Sequence, residues 1–218
     1  MRYQSILFDL DGTLADNREG IMNGFRYALK RLGREGEADS LPDTVIGPPL
    51  RNSFQELYHM DEQQTEEAVR LYREFYRPTG VYQCSLYPHV EETLARLKQA
   101  GAAVYLATSK ARVFAEAILM HKNIARFFDS VCGSELDGRL DNKTELLGHM
   151  LRHVIKHRDA GVIMVGDRFH DAKGALDCGM DCAAALWGFG SREEFLPYGN
   201  VKAMFDDAQQ LCDWLLEG

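Results

Sequence analysis

The stretch Ile6-Leu7-Phe8-Asp9-Leu10-Asp11-Gly12-Thr13-Leu14 restricts the fold more than any other part of the chain. Its apolar start reads as a buried strand, and the run stops at two aspartates one residue apart. Two carboxylates about 4 Å apart repel by roughly 4 kcal/mol at an effective dielectric near 20. A strand end gains no stability from such a pair. A divalent cation turns the repulsion into attraction, and Mg2+ prefers hard oxygen ligands. Gly12 permits the sharp turn that must follow. Asp-Gly is also a common turn pair, so a strand closing in an acidic turn accounts for these residues equally well.

Downstream of Leu14 the period becomes helical. Ile21, Phe25, Ala28 or Leu29, and Leu32 recur on one face, with Asp16 or Asn17 as the cap and Gly33 as the stop. Gly47-Pro48-Pro49 is a stiff loop, a helix starts near Leu50, and another runs from Thr65 to Tyr76 before Pro78 and Gly80. Residues 15–81 thus read as all-helical. From Tyr87 the pattern alternates. A helix opens after Pro88, and strands are expected at 103–107, 127–132, 161–165, 181–186 and 201–205. The helices between them carry inward Leu94 and Leu97; Phe114, Ala117 and Ile118; Leu147, Met150, Leu151 and Val154; and Leu211, Trp214 and Leu215. Strands alternating with helices imply right-handed crossovers and a parallel sheet covered on both faces. The expected organisation is a discontinuous α/β domain, 1–14 with 82–218, a Rossmann-like doubly wound sheet into which an all-helical segment, 15–81, is inserted.

Composition narrows the partners. The chain has 218 residues, 45% of them hydrophobic, enough for one large domain or two small ones. A net charge of -8 argues against a nucleic acid polymer or a membrane surface as partner. No apolar run approaches the roughly 20 residues of a membrane span, and no signal-peptide pattern opens the chain. The five cysteines are odd in number and scattered, as expected for reduced, mostly buried thiols in a cytoplasmic protein.

In open parallel sheets ligands bind beyond the carboxyl ends of the strands. The expected strand ends carry Asp9 and Asp11, then Thr108 and Ser109, then Asp167 with Asp171 four residues on. Lys143 opens a helix between them. Singly, each has an ordinary reading: a turn, a cap, a surface lysine. Together, hydroxyls, a lysine and carboxylates at successive strand ends make a site for a metal and an anion.

These residues resemble the motifs of the haloacid dehalogenase superfamily, in its phosphatase branch. The first motif is Asp9-Leu10-Asp11-Gly12-Thr13-Leu14, the second Thr108, the third Lys143, and the fourth Gly166-Asp167-Arg168-Phe169-His170-Asp171. The likeness is greatest to phosphoglycolate phosphatase-like and nucleotidase-like members, which carry a helical cap after the first motif. The resemblance implies that Asp9 is the nucleophile, forming an aspartyl-phosphate, and that Asp11 is the general acid and base. It implies a Mg2+ held by Asp9, the Asp11 carbonyl and Asp167, with Asp171 supporting the ion or orienting Lys143. It also implies phosphate held by Thr108, Ser109 and Lys143. The expected reaction is hydrolysis of a small phosphorylated metabolite, by a monomer or homodimer. A phosphomutase of the β-phosphoglucomutase type and a noncatalytic metal-binding regulator of the same fold are the alternatives.

Other residues are ambiguous. Arg51, after Gly47-Pro48-Pro49-Leu50, lies where relatives place a specificity loop, and it is either a contact to a distal anionic group or a solvent-facing side chain. Lys110 either adds positive charge to the site or lies on the surface. His89 replaces the family's usual glycine in Tyr87-Pro88-His89-Val90, which puts the local backbone in question. His149, His153 and His157 recur every four residues and read as a polar helix face rather than a metal site. The motifs for dinucleotide and Walker-type phosphate loops are absent.

Overall fold

The computed structural model describes residues 1–155 and 161–217. The chain divides into two compact units, one formed by residues 1–16 with 86–218 and the other by residues 17–85.

The first unit is built on a six-stranded sheet. Its strands are β1 (Ser5–Phe8), β4 (Ala103–Ala111), β5 (Ser130–Ser134), β6 (Val162–Gly166), β7 (Asp181–Ala185) and β8 (Val201–Phe205). Two-residue strands β2 (Ala15–Asp16) and β3 (Ser85–Leu86) form a separate ladder, so a strand pair begins inside a stretch whose pattern reads as helical. The sheet order is β5-β4-β1-β6-β7-β8 and every pairing is parallel. The chain therefore fills one side of β1, crosses back, and fills the other side, as in doubly wound sheets. Phe8 pairs with Leu106 on one side and Val165 on the other, so β4 and β6 flank the end of β1, and β4 runs on past it to Ala111.

Helices α5 (Val90–Gln99), α6 (Arg112–His121), α7 (Lys143–His153), α8 (Phe169–Asp177), α9 (Arg192–Phe195) and α10 (Ala208–Leu216) complete this unit. Leu7, Tyr105 and Met164 pack with Leu146, Leu147, Met150, Ala172 and Ala175 of α7 and α8. The intervening Ile6, Phe8, Ile163 and Val165 are equally buried, so both sheet faces are covered. That explains the near-continuous apolar runs in the sequence. On α6 the inward set is Phe114, Ala115, Ile118 and Leu119, with Ala117 only half-buried. The expected strand at 127–132 begins at Ser130, because residues Ala125–Phe127 form a 3-10 turn. Of the cysteines, all free, Cys182 and Cys212 are buried and the other three half-buried. His89 takes the left-handed conformation, φ 64°, that glycine would adopt more easily, so the turn before α5 survives the substitution.

The second unit contains α1 (Arg18–Arg31), α2 (Glu35–Asp39), α3 (Leu50–Tyr58) and α4 (Glu62–Tyr76). Asn17 occupies the position before α1 but makes no capping bond. Helix α4 starts three residues ahead of Thr65 because Asp61 and Gln64 cap it reciprocally, Gln64 N donating to Asp61 Oδ1 and Asp61 N to Gln64 Oε1. The core is aromatic. Phe25 lies 4.8 Å from Phe54 and 5.4 Å from Tyr72 between ring centroids, and Tyr72 stacks on Tyr76 at 5.1 Å. Among the described residues no helix is long and apolar enough to cross a membrane.

Candidate active site

The end of β1 and the strands β4 and β6 beside it bring together residues far apart in sequence. Asp9 follows β1 directly, and its N–H donates to Val165 O of β6 at 2.9 Å. Past Asp9 the chain turns back: Gly12 has φ +83°, and Thr13, Leu14 and Ala15 all donate to Leu10 O. Thr108 lies near the end of β4, 1% exposed, and Asp167 follows β6 with no exposure. Asp171 comes from the first turn of α8.

Lys143 joins these ends. Asn142 caps α7 by accepting from Thr144 N and Glu145 N, which fixes the helix start. From there Lys143 Nζ donates to Asp9 Oδ1 at 2.9 Å and to Ala107 O at 2.8 Å, and it lies 2.8 Å from Asp171 Oδ1. Asp171 Oδ2 accepts from Arg168 N. Carboxylate oxygens of Asp9, Asp167 and Asp171 lie within 4.8 Å of one another. Two of these carboxylates, Asp9 and Asp171, thus share one ammonium in a nearly dry place, with Asp167 beside them.

The electrostatics follow from that imbalance. Burial, with Asp171 and Asp11 adding, pushes the Asp9 carboxyl up to about 6 against the pull of Lys143. Burial, then the charges of Asp171 and Asp9, raise Asp167 well above the usual carboxylate range, although Phe189 N–H and the Thr13 hydroxyl oppose this. Burial works to deprotonate Lys143, but Asp171 and Asp9 more than offset it and hold the ammonium. A divalent cation is what such a donor set accommodates: hard oxygens, excess negative charge, and two carboxyls whose ionisation burial resists.

Asp167 is braced by a segment absent from the motif reading. After β7, Phe189 N donates to Asp167 Oδ2 at 2.8 Å, and Thr13 Oγ1 donates to Asp167 Oδ1 at 3.1 Å. Trp187 Nε1 donates to Thr13 O at 2.9 Å. Glu194 Oε2 accepts from Phe169 N at the start of α8 and from Arg168 Nε. The one sequence signal for this brace is Trp187-Gly188-Phe189-Gly190 directly after a strand.

The remaining candidates fall as follows. Lys110 Nζ lies 2.7 Å from Asp11 Oδ2 with both side chains largely buried, so it belongs to the site rather than the surface. Ser109 sits beside Thr108 and is half-buried. Arg51 lies in the helical unit, where its guanidinium forks onto Glu66 with contacts of 2.6 and 3.1 Å. His170 packs its ring on Phe169, and burial lowers its pKa. His149 and His153 have ring centroids 4.9 Å apart on α7, and His157 lies outside the described residues.

A parallel sheet that reverses order at its centre and gathers carboxylates and lysines at the strand ends is an enzyme framework for handling anions. The chain belongs to the haloacid dehalogenase-like hydrolases, whose family pattern matches residues 6–185. It is 42% identical to a 5'-nucleotidase of Pseudomonas aeruginosa over 197 residues, 89% of this chain and 87% of that protein. It is 35% identical over 193 residues to the tyrosine-protein kinase PtkA of Mycobacterium tuberculosis, 88% of this chain but 65% of that longer protein. The crystal structure of a predicted phosphatase from Clostridium acetobutylicum superposes with a TM-score of 0.91 at 36% identity, covering all of both chains. The fold is thus Rossmann-like, and the protein is a hydrolase of the phosphatase type.

Proposed function

We propose that the protein is a Mg2+-dependent phosphomonoesterase that acts through an aspartyl-phosphate on a small phosphorylated metabolite. Lys143 carries this reading: its ammonium is bonded to Asp9 and lies 2.8 Å from Asp171, at the edge of the cluster that includes Asp167. An anionic carboxylate cannot approach a phosphate dianion without cations nearby, and phosphoryl transfer depends mainly on positioning and charge.

Asp9 attacks phosphorus, the bond to the leaving oxygen breaks, and Asp11 supplies the proton that oxygen takes. Asp11 then accepts a proton from water as the water attacks the phosphorus of the aspartyl-phosphate, releasing inorganic phosphate and freeing Asp9. Lys143, Thr108 and the backbone at Ser109 receive the non-bridging oxygens. Asp9, the Asp11 carbonyl and Asp167 would hold the cation, with Asp171 behind them. When bound, the ion offsets the charge of phosphate and carboxylates and fixes the line of attack. The relative named a 5'-nucleotidase makes nucleoside monophosphates the first substrates to try, ahead of phosphoglycolate and sugar phosphates.

The test is release of inorganic phosphate from an aryl phosphate and a panel of these metabolites, with MgCl2 and with EDTA. Turnover that stops in EDTA is expected. Undiminished turnover in EDTA overturns the metal requirement. Transfer of phosphate to a tyrosine peptide instead of water, or turnover of a sugar phosphate only with a bisphosphate activator, overturns the hydrolase reading.

A further inference from the structure

The chemistry above leaves Lys110 without a task, yet the backbone is built around its placement. Strand β4 pairs with β5 in steady register from Tyr105↔Ser130 to Thr108↔Gly133, then shifts, so that Ala111 pairs with Ser134. Ser109 and Lys110 therefore bulge out of the ladder, and a bulge beside a site re-aims side chains. Lys110 N donates to Thr108 Oγ1 at 3.2 Å, which closes the bulge on itself. Opposite it stands Gly133. A Cβ there would lie 2.6 Å from Lys110 O and 3.0 Å from Arg112 N, so the bulge needs a partner with no side chain. The outcome is an ammonium 2.7 Å from Asp11 Oδ2, with side chains 7% and 14% exposed. The main chain at Asp11 is already fixed, because Gly12 N donates to Ala15 O and Asp11 bridges to Ala15. What Lys110 adds is control of the carboxylate itself.

Resting on the acid role given to Asp11 above, we propose that Lys110 is a positioning residue that holds the Asp11 carboxylate where it meets the leaving oxygen. Misplacing a catalytic group by about 1 Å can cost on the order of 100-fold in rate. Nucleophilic attack by Asp9 and phosphate binding by Lys143 do not pass through this contact. Loss of Lys110 therefore weakens proton delivery selectively.

Leaving groups of different basicity separate these effects. The experiment measures kcat/KM for aryl phosphates of rising leaving-group pKa and for an alkyl phosphate, in wild type, Lys110→Met, Lys110→Arg and Asp11→Asn. The inhibition constant of inorganic phosphate is measured alongside. Lys110→Met is expected to lose about 100-fold on the alkyl phosphate but less than about fivefold on p-nitrophenyl phosphate, whose leaving group needs little protonation. Inorganic phosphate should bind as before, and Lys110→Arg should recover much of the loss. An equal loss on all substrates with weaker phosphate binding makes Lys110 a phosphate ligand and overturns the proposal; unchanged kinetics overturn it as well. Asp11→Asn must steepen the same dependence. If it does not, the acid role of Asp11 falls, whatever Lys110→Met shows. Should Lys110→Met fail to fold, Gly133→Ala keeps both charges while pressing on the Lys110 carbonyl, and it must show the same selective loss.

Discussion

Both units carry exposed ion pairs, but the α/β unit also buries a cluster of charges. In residues 17–85, Arg18–Asp43, Lys30–Asp39 and Arg70 with Glu67 and Glu74 are surface pairs whose side chains are 43% to 71% exposed. Such pairs contribute about 0–1 kcal/mol each. Stability there comes from packed rings around Phe25. In the α/β unit, the side chains of Lys143, Asp9, Asp171, Lys110 and Asp11 are 2% to 14% exposed. Burying an ion costs several kcal/mol, only partly recovered from its partner. The comparison teaches that apolar burial marks where the molecule is held together, while charge burial marks where stability has been given up for chemistry.

The sharpest way to break that comparison is Asp9→Asn. Turnover should fall by at least about 1000-fold, while the metal-free protein melts at the same temperature or higher, because one crowded buried charge is gone. A lower melting temperature would make the cluster a stabilising element. Next in size is Phe54→Ala, expected to cost about 3–5 kcal/mol in urea unfolding; a loss below about 1 kcal/mol would credit the surface pairs instead.

A third test uses pH. Asp9 is raised to about 6 from 3.8, so between these values the folded state binds more protons than the unfolded one. The stability linked to Asp9 is present below about pH 4 and falls by about 3 kcal/mol as pH rises through about 6. Asp167 shifts in the same direction. MgCl2 at about 100 times its dissociation constant should therefore raise the melting temperature at pH 7.5, by about 5–10 °C, and by less at pH 5, where protons compete for the same oxygens. An equal rise at both pH values would place the ion elsewhere. Fourth, Glu194→Gln should loosen the start of α8, where Glu194 holds Arg168 and Phe169 N next to Asp167, and raise the Mg2+ needed for half-maximal Trp187 fluorescence change by about 10-fold. The smallest effect is expected from Arg70→Ala, whose urea midpoint should match that of the wild type.

Much of the sheet was legible because strands buried on both faces are written as apolar runs; 161–165 and 181–186 are examples. The strand at 103–107 was legible only in part. Its extension to Ala111 runs through Thr108-Ser109-Lys110, where polar residues hide a strand that bulges. Helix α2 escaped notice because Glu35–Asp39 is too short and too acidic to show a periodic face. In the site, Asp9, Asp11 and Asp167 are legible only jointly, as carboxylates at successive strand ends, because singly each also reads as a turn. The Phe189 contact is not, because a backbone N–H leaves no mark in sequence. Lys110 was ambiguous for another reason: its partner lies 99 positions away, and only the adjacency of β1 and β4 joins them.

Placing Asp9 at the end of β1, between β4 and β6, has a temporal consequence. Its flanking strands are made about a hundred and about a hundred and sixty residues after it, and the Phe189 contact later still. A nascent chain that has left the ribosome only as far as β5 carries Asp9 without most of its company. Pairing between parallel strands so distant in sequence is slow to form. Catalytic competence therefore arrives late in synthesis and all at once, which makes turnover a reporter of a finished α/β unit.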